Sequence, residues 1–313
     1  MRILFVTDQF PTAREMLAER LPEDEVLLST PEEAPKADVI VPLMGKVDAG
    51  LMDRVRPRLI QQFGVGLEGV DVEAAAARGI AVANVPAHDT GNADAVGEIA
   101  VLHLLSLSRR FGEARASVDA GRLGEPVGMT LQGARVVVLG LGAIGRAVAR
   151  RLRGFEVETV GVATREREQV GSDYDELGLA AYFPVRELLA ALAGADAIVV
   201  CAVLNEATRG LVGAAAMDAM RAGALLVNVA RGPVVDHEAL LAALRSGQIG
   251  GAGLDVFWQE PIDPADPLLA ERVTVTPHIG GVTTSSYGLM SERVAANVER
   301  LRTGEPLAAT VTP

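Results

Sequence analysis

Residues 136–152, VVVLGLGAIGRAVARRL, constrain the fold of this chain more than any other stretch. Val136 to Leu139 form a continuous apolar run, as a parallel strand buried on both faces requires. Gly140, Gly142 and Gly145 then give G-x-G-x-x-G, and helical periodicity continues through Ala147, Val148, Arg151 and Leu152. The first glycine permits a tight turn, the second lets the backbone approach a pyrophosphate, and the third lets helix and strand pack closely. The helix that follows turns its N–H groups and positive dipole end towards phosphate. Such a glycine pattern also arises for packing alone. Set between this strand and this helix, it points to a dinucleotide site.

The rest of the chain alternates strand and helix around that stretch. Strands are expected at 2–7, 38–42, 59–63 and 80–84, with helices at 12–20, 48–55 and 73–78 between them. One long helix, 92–111, is apolar nearly all round and so belongs against another domain or a second subunit. A Gly- and Pro-rich loop follows at 119–133. After the glycine motif, strands are expected at 157–163, 196–202, 224–230 and 249–256, separated by helices at 185–193, 212–221 and 236–246. A terminal helix at 284–302 crosses back to the first domain. The expected fold class is α/β, with two doubly wound parallel-sheet domains. Residues 1–92 with 284–313 form one, and residues 93–283 form the dinucleotide-binding one; 313 residues suffice for two cores.

The formal net charge of −12 argues against nucleic acid or an anionic membrane as partner. An anionic substrate then needs a local cation, because the global field opposes it. The single cysteine, Cys201, excludes an intrachain disulfide framework and fits a reducing compartment. The opening MRILFVTDQF reaches Asp8 too soon for a secretion signal. No apolar run approaches the ~18 residues of a membrane span. The cytoplasm is the expected compartment, and without a Cys/His cluster no metal site is expected.

Ligands of open α/β sheets bind beyond the carboxyl ends of the strands, so polar residues at those ends carry the chemistry. Arg231 follows LLVNVA, Glu260 follows the strand containing Gly253 to Val256, and His278 follows VTVTP. Taken singly, Glu260 reads as a solvated loop residue and Arg231 as a residue leading into a helix. His278, set between Pro277 and Gly280, has less of a packing explanation. Together they make a useful set: Arg grips a carboxylate, His moves a proton, and Glu holds and charges the His.

These segments bring out a family. FGVGLEGVD (63–71), GLGAIGRA (140–147), LVNVARGPVVD (226–236), AGLDVFWQEP (252–261) and TPHIGG (276–281) resemble, in order, the D-isomer specific 2-hydroxyacid dehydrogenases that use nicotinamide cofactors. The resemblance implies a flavodoxin-like substrate domain beside a Rossmann domain, a cleft that closes on binding, and a homodimer. It implies His278 as general acid/base, Glu260 as its orienting partner, and Arg231 on the substrate carboxylate and keto oxygen. The backbone of Val65 and Gly66 would hold the other end of the carboxylate, with Met44 lining the pocket. Expected cofactor contacts are Gly140, Gly142, Ala143, Ile144, Gly145, Thr164, Arg165, Cys201, Ala230 and Asp255, the last on the nicotinamide amide.

The chain departs from the usual pattern where the ribose is read. An NAD site expects Asp or Glu about 20 residues past the glycines. Here VETVGVA ends in Thr164 and Arg165, and no carboxylate comes before Glu166. Arg165 or Arg167 then suits a 2′-phosphate, so NADP is favoured over NAD. The alternative leaves both arginines as solvated charges and turns Glu166 inward. Glyoxylate, hydroxypyruvate and pyruvate are compatible substrates, and Lys46 keeps 3-phosphoglycerate among them; Trp258 is a further pocket candidate. Outside the enzymes, a nicotinamide-sensing binding protein or corepressor of the same fold is the competing reading. The remaining histidines read as bystanders: His103 packed in its helix or at an interface, His237 exposed, and His88 in a loop.

Overall fold

The computed structural model describes residues 1–87, 90–166 and 173–313. Among these residues the elements run β1 (Arg2–Phe5), α1 (Pro11–Arg20), β2 (Glu25–Leu28), β3 (Val39–Val41), α2 (Ala49–Val55), β4 (Leu59–Gln61), α3 (Val72–Ala77) and β5 (Ala81–Ala83). Next come α4 (Asn92–Ser108), α5 (Phe111–Asp119), β6 (Arg135–Leu139), α6 (Ala143–Leu152), β7 (Glu158–Ala163), α7 (Asp173–Leu177), β8 (Ala181–Pro184), α8 (Leu188–Leu192) and β9 (Ala197–Val200). The chain continues through α9 (Ala214–Ala219), β10 (Ala224–Asn228), α10 (His237–Ser246), β11 (Ile249–Leu254), β12 (Val273–Val275) and α11 (Thr284–Thr303). They divide into two compact units, Met1–Asn92 with Thr283–Pro313, and Ala93–Val282.

The first unit is built on a parallel sheet in the order β2-β1-β3-β4-β5. The chain steps to one side of β1 and then to the other, which is the flavodoxin-like winding. Leu4, Ile40 and Ile60 from adjacent strands pack with Leu51, Met52 and Val55 of α2. Helix α11 closes this unit: the Arg20 side chain at the end of α1 donates to Ser291 Oγ at 2.7 Å and to the Gly288 carbonyl at 3.0 Å. Buried Asn297 donates to Gln61 Oε1 at 2.7 Å, so both amides are satisfied where solvent is absent.

The second unit carries a parallel sheet in the order β12-β11-β10-β9-β6-β7-β8. Strand β6 lies inside the sheet between β9 and β7, with Val137 and Leu139 in the core of one face and Val136 and Val138 in that of the other. The apolar run reads as continuous because neither face meets water. From β6 the chain winds outward through β7 and β8, returns to β9 on the other side, and proceeds to β12. The switch point lies between β6 and β9, as in a Rossmann fold.

Strands β2 and β8 and helices α5 and α7 lie outside the expected pattern. β2 and β8 are edge strands, and EVLL is half exposed while AYFP ends in proline, so neither shows strict alternation. The long helix ends at Ser108 rather than 111, because Arg110 takes a left-handed backbone (φ 52°) and α5 starts afresh at Phe111. Leu102, Phe111, Val118, Leu123, Val127 and Met129 are all exposed, so this stretch of the second unit displays apolar surface.

Candidate active site

Sheet order explains why three residues distant in sequence meet. β10, β11 and β12 are consecutive neighbours, and Arg231, Glu260 and His278 follow their carboxyl ends in turn. His278 Nδ1 lies 2.6 Å from Glu260 Oε2, and the Phe257 amide donates to Glu260 Oε1 at 2.9 Å. Both side chains are largely withdrawn from water, with 23% of His278 and 16% of Glu260 exposed. Burial pushes the Glu260 carboxyl up. The hydrogen bond and charge of His278 outweigh it, helped by the Phe257 amide and the charge of Arg231, and hold the group below the usual carboxylate range. Glu260 is thus an anion set against the His278 ring.

Arg231 leads out of β10 in extended conformation into a short turn of 3-10 helix, Gly232–Val234. Its guanidinium donates to the Ala230 carbonyl at 2.7 Å, while Asn228 Nδ2 donates to the Arg231 carbonyl at 2.9 Å. Asn228 Oδ1 in turn accepts from the Ala230 amide, so the buried asparagine fixes the backbone that delivers the arginine.

The residues present fit a dinucleotide. Gly140 has φ 96°, and a Cβ there would lie 2.7 Å from the Ala202 amide nitrogen, so the loops after β6 and β9 approach as only glycine permits. A Cβ on Gly145 would lie 1.8 Å from the Gly140 carbonyl. Gly142, by contrast, precedes α6 in extended conformation and faces open space. Ala143 and Ile144 begin α6, whose first turn carries no acidic residue and no side-chain cap. That is an anion cradle made of backbone. Cys201 and Ala230 are buried at neighbouring strand ends, and burial pushes the Cys201 thiol up to about 12, an inert group.

Beyond β7, Thr164 and Arg165 are exposed, and the Arg165 carbonyl accepts from the Tyr182 hydroxyl. Glu166 pairs with Arg186. Arg167 and His88 lie outside the described residues.

Asp255 differs from its expected surroundings. Only 2% of it is exposed, and its carboxylate accepts from Thr276 Oγ1 at 2.6 Å and from the Ile279 and Gly280 amides at 2.9 and 2.8 Å. His103 is buried with both ring nitrogens hydrogen bonded. His237, read as exposed, is instead largely buried, bonded through Nε2 to Asp266 and set edge-on to Trp258. Trp258 itself donates to the Val235 carbonyl at 2.7 Å.

In the first unit, the loops after β3 and β4 hold Met44, Val65 and Gly66. Gln62, which sequence reasoning missed, ties them: its amide donates to the Leu43 and Gly66 carbonyls, while Asn84 donates to the Val65 carbonyl at 2.9 Å. A glutamine in LIQQF gives no sign of this in sequence. Among the described residues, no group of three or more His, Cys, Asp or Glu is arranged to hold a metal ion, and no helix is long and apolar enough to cross a membrane.

Residues 101–280 match the family described as D-isomer specific 2-hydroxyacid dehydrogenase, NAD binding domain. The chain is 34% identical over 307 residues to a glyoxylate reductase of Korarchaeum cryptofilum, covering 95% of this chain and 86% of the relative. Among solved structures it resembles the NADPH-dependent glyoxylate/hydroxypyruvate reductase of Sinorhizobium meliloti in complex with NADP and malonate, with 32% identity and TM-score 0.83. That match covers 99% of this chain and 96% of the other. The apo D-lactate dehydrogenase of Escherichia coli is similar at 25% identity and TM-score 0.85, over the full length of both chains.

Proposed function

This chain belongs to the D-isomer specific 2-hydroxyacid dehydrogenase family, and from that membership we propose a small 2-keto acid as its substrate, with His278, Glu260 and Arg231 as the catalytic set. It is an NAD(P)-dependent oxidoreductase acting between a 2-keto acid and the D-2-hydroxy acid. The observation that carries the site reading is the 2.6 Å His278–Glu260 pair at the carboxyl ends of the strands that also deliver Arg231.

Reduction of a keto group needs a proton at its oxygen and stabilisation of the charge that grows there. His278, oriented through Nδ1 by Glu260, delivers the proton from Nε2. Arg231 binds the carboxylate and faces the keto oxygen. Within the first unit, the amides of Val65 and Gly66 are the proposed carboxylate donors, with Met44 in the loop after β3. Gly142, Ala143 and Ile144 would hold a nicotinamide dinucleotide, which would supply the hydride. The chain's own task is orientation and proton delivery.

Glyoxylate and hydroxypyruvate suit this reading best, since they are the substrates named for the reductases it resembles. NADP is favoured over NAD. Thr164 and Arg165 stand where an NAD site carries a carboxylate, and Glu166 is engaged by Arg186 rather than held for a ribose hydroxyl. A homodimer fits the exposed apolar side chains between Leu102 and Met129. One buried, unreactive cysteine suits a cytoplasmic enzyme.

A panel of 2-keto acids assayed with NADPH and then NADH tests the whole reading. Turnover of glyoxylate or hydroxypyruvate with a clear preference for NADPH is the expected result. A preference for NADH overturns the cofactor assignment, and absence of turnover with every acid overturns the enzyme in favour of a binding protein.

A further inference from the structure

His278 stands on a strained backbone. Its φ is 54°, a left-handed conformation that a non-glycine residue holds only when its surroundings impose it. The two residues that follow are both held through their amides by one carboxylate, Asp255, at 2.9 Å from Ile279 and 2.8 Å from Gly280. A Cβ on Gly280 would lie 2.8 Å from Asp255 Oδ2, so the loop is pressed onto that side chain. The third donor to Asp255 is a hydroxyl, Thr276 Oγ1, at 2.6 Å. Backbone amides have fixed directions, but a hydroxyl rotates.

What fixes the hydroxyl is His103. From α4 its Nε2 lies 3.0 Å from Thr276 Oγ1, and its Nδ1 lies 2.7 Å from Thr274 Oγ1. The ring reaches them because residue 253 is glycine: a Cβ there would stand 2.5 Å from His103 Cβ and 2.8 Å from its Cγ. Thr276 has one hydroxyl proton. Given to Asp255, it leaves the Thr276 oxygen as an acceptor, so His103 must carry its proton on Nε2 and accept at Nδ1 from Thr274. The opposite tautomer would turn the Thr276 proton towards the ring. Oxygen lone pairs would then face the buried carboxylate at 2.6 Å, a repulsion the geometry disfavours.

We propose that His103 is a positioning residue for the reaction: as the Nε2–H tautomer it aims the Thr276 hydroxyl at Asp255, and Asp255 holds the loop that places His278. Donation runs from Thr274 to His103, from His103 to Thr276 and from Thr276 to Asp255, which also accepts from the amides of residues 279 and 280. The role of His103 rests on the reading of His278 as general acid. Burial holds the His103 ring well below its ordinary value, at about 4, which keeps it neutral and able to accept at Nδ1.

Nitrogen-15 NMR of histidine-labelled protein tests the relay without any assay. The chain has four histidines, and His103→Leu identifies the signal by its loss. An Nε2–H pattern for His103 is expected, and an Nδ1–H pattern overturns the proposal. In turnover, His103→Leu lowers kcat about tenfold with the keto-acid KM within about twofold, while His103→Gln, which keeps an N–H donor, recovers most of the loss. Adding His103→Leu to Thr276→Val costs little more than Thr276→Val alone. Equal losses in the Leu and Gln variants, or additive losses in the double variant, reduce His103 to a packing role and overturn the proposal. If the parent enzyme reduces no keto acid, the site reading fails, and the tautomer still decides the relay.

Discussion

The carboxyl ends of the two sheets are built from different materials. At the five-stranded sheet, the loops after β3 and β4 present Met44 and Val65, 42% and 46% exposed, on a backbone pinned by the neutral amides of Gln62 and Asn84. At the seven-stranded sheet, neighbouring strand ends present Arg231, Glu260 and His278, with the buried carboxylate of Asp255 behind them. One end is a mould of backbone and the other a cluster of charge. The same strand–helix repeat serves both, so fold alone does not decide which end does chemistry. If the difference is functional, removing charge from the second end reduces turnover, whereas disturbing the first mainly weakens substrate binding.

The sharpest way to break that division is His278→Ala. Loss of the general acid lowers kcat by about 10²–10⁴-fold. Dinucleotide affinity, read by fluorescence titration, stays near the parent value, because the cradle at Gly142 is separate from the imidazole. Parent-like turnover in this variant removes His278 from the chemistry. Next in size is Arg231→Gln, for which kcat/KM falls by roughly 10²–10³-fold through both constants, since the guanidinium serves binding and charge stabilisation together. Arg231→Lys recovers only part, because an ammonium cannot make the paired contact.

The two ends also differ in how far they are legible in sequence. Arg231, Glu260 and His278 stand out because charged residue types at strand ends have few structural uses, and the alternation of strands and helices places those ends. The glycine motif reads well because each glycine has a steric cause: at 140 and 145 a Cβ would strike backbone. Gln62 does not stand out, because its work is to bridge two carbonyls, and a hydrogen bond to backbone leaves no pattern of residue types. The same holds for His103 and Thr276, which meet from α4 and the loop after β12, more than 170 residues apart in sequence. Edge strands β2 and β8 escape for another reason, since half-exposed strands four residues long lack the periodicity that marks buried ones.

Glu260→Gln separates charge from shape within the second end. Glutamine keeps the volume but withdraws the anion paired with His278 Nδ1, so kcat falls about tenfold. Stability carries a second signature. The Glu260 carboxyl is held below its ordinary value of 4.5, so its stabilising contribution is complete above that pH and lost as pH falls through the lower folded-state value. The parent Tm therefore exceeds that of Glu260→Gln at neutral pH, and the gap closes on acidification below 4.5. A gap independent of pH assigns the loss to packing instead of charge.

The smallest effect is expected at the mould. Gln62→Leu removes the bridge between the Leu43 and Gly66 carbonyls without touching a charge. Two partly buried carbonyls then lose a donor, which lowers Tm by a few degrees. The loops after β3 and β4 are freed from each other, and with them the backbone of Val65 and Gly66 that we propose binds a carboxylate. KM for the keto acid rises about three- to tenfold while kcat stays within about twofold, because proton delivery depends on groups of the other sheet. Steady-state kinetics at one fixed, saturating cofactor concentration separates the two constants. A fall in kcat as large as that of Glu260→Gln shows the mould to be part of the chemistry, and the contrast between the two sheet ends then fails.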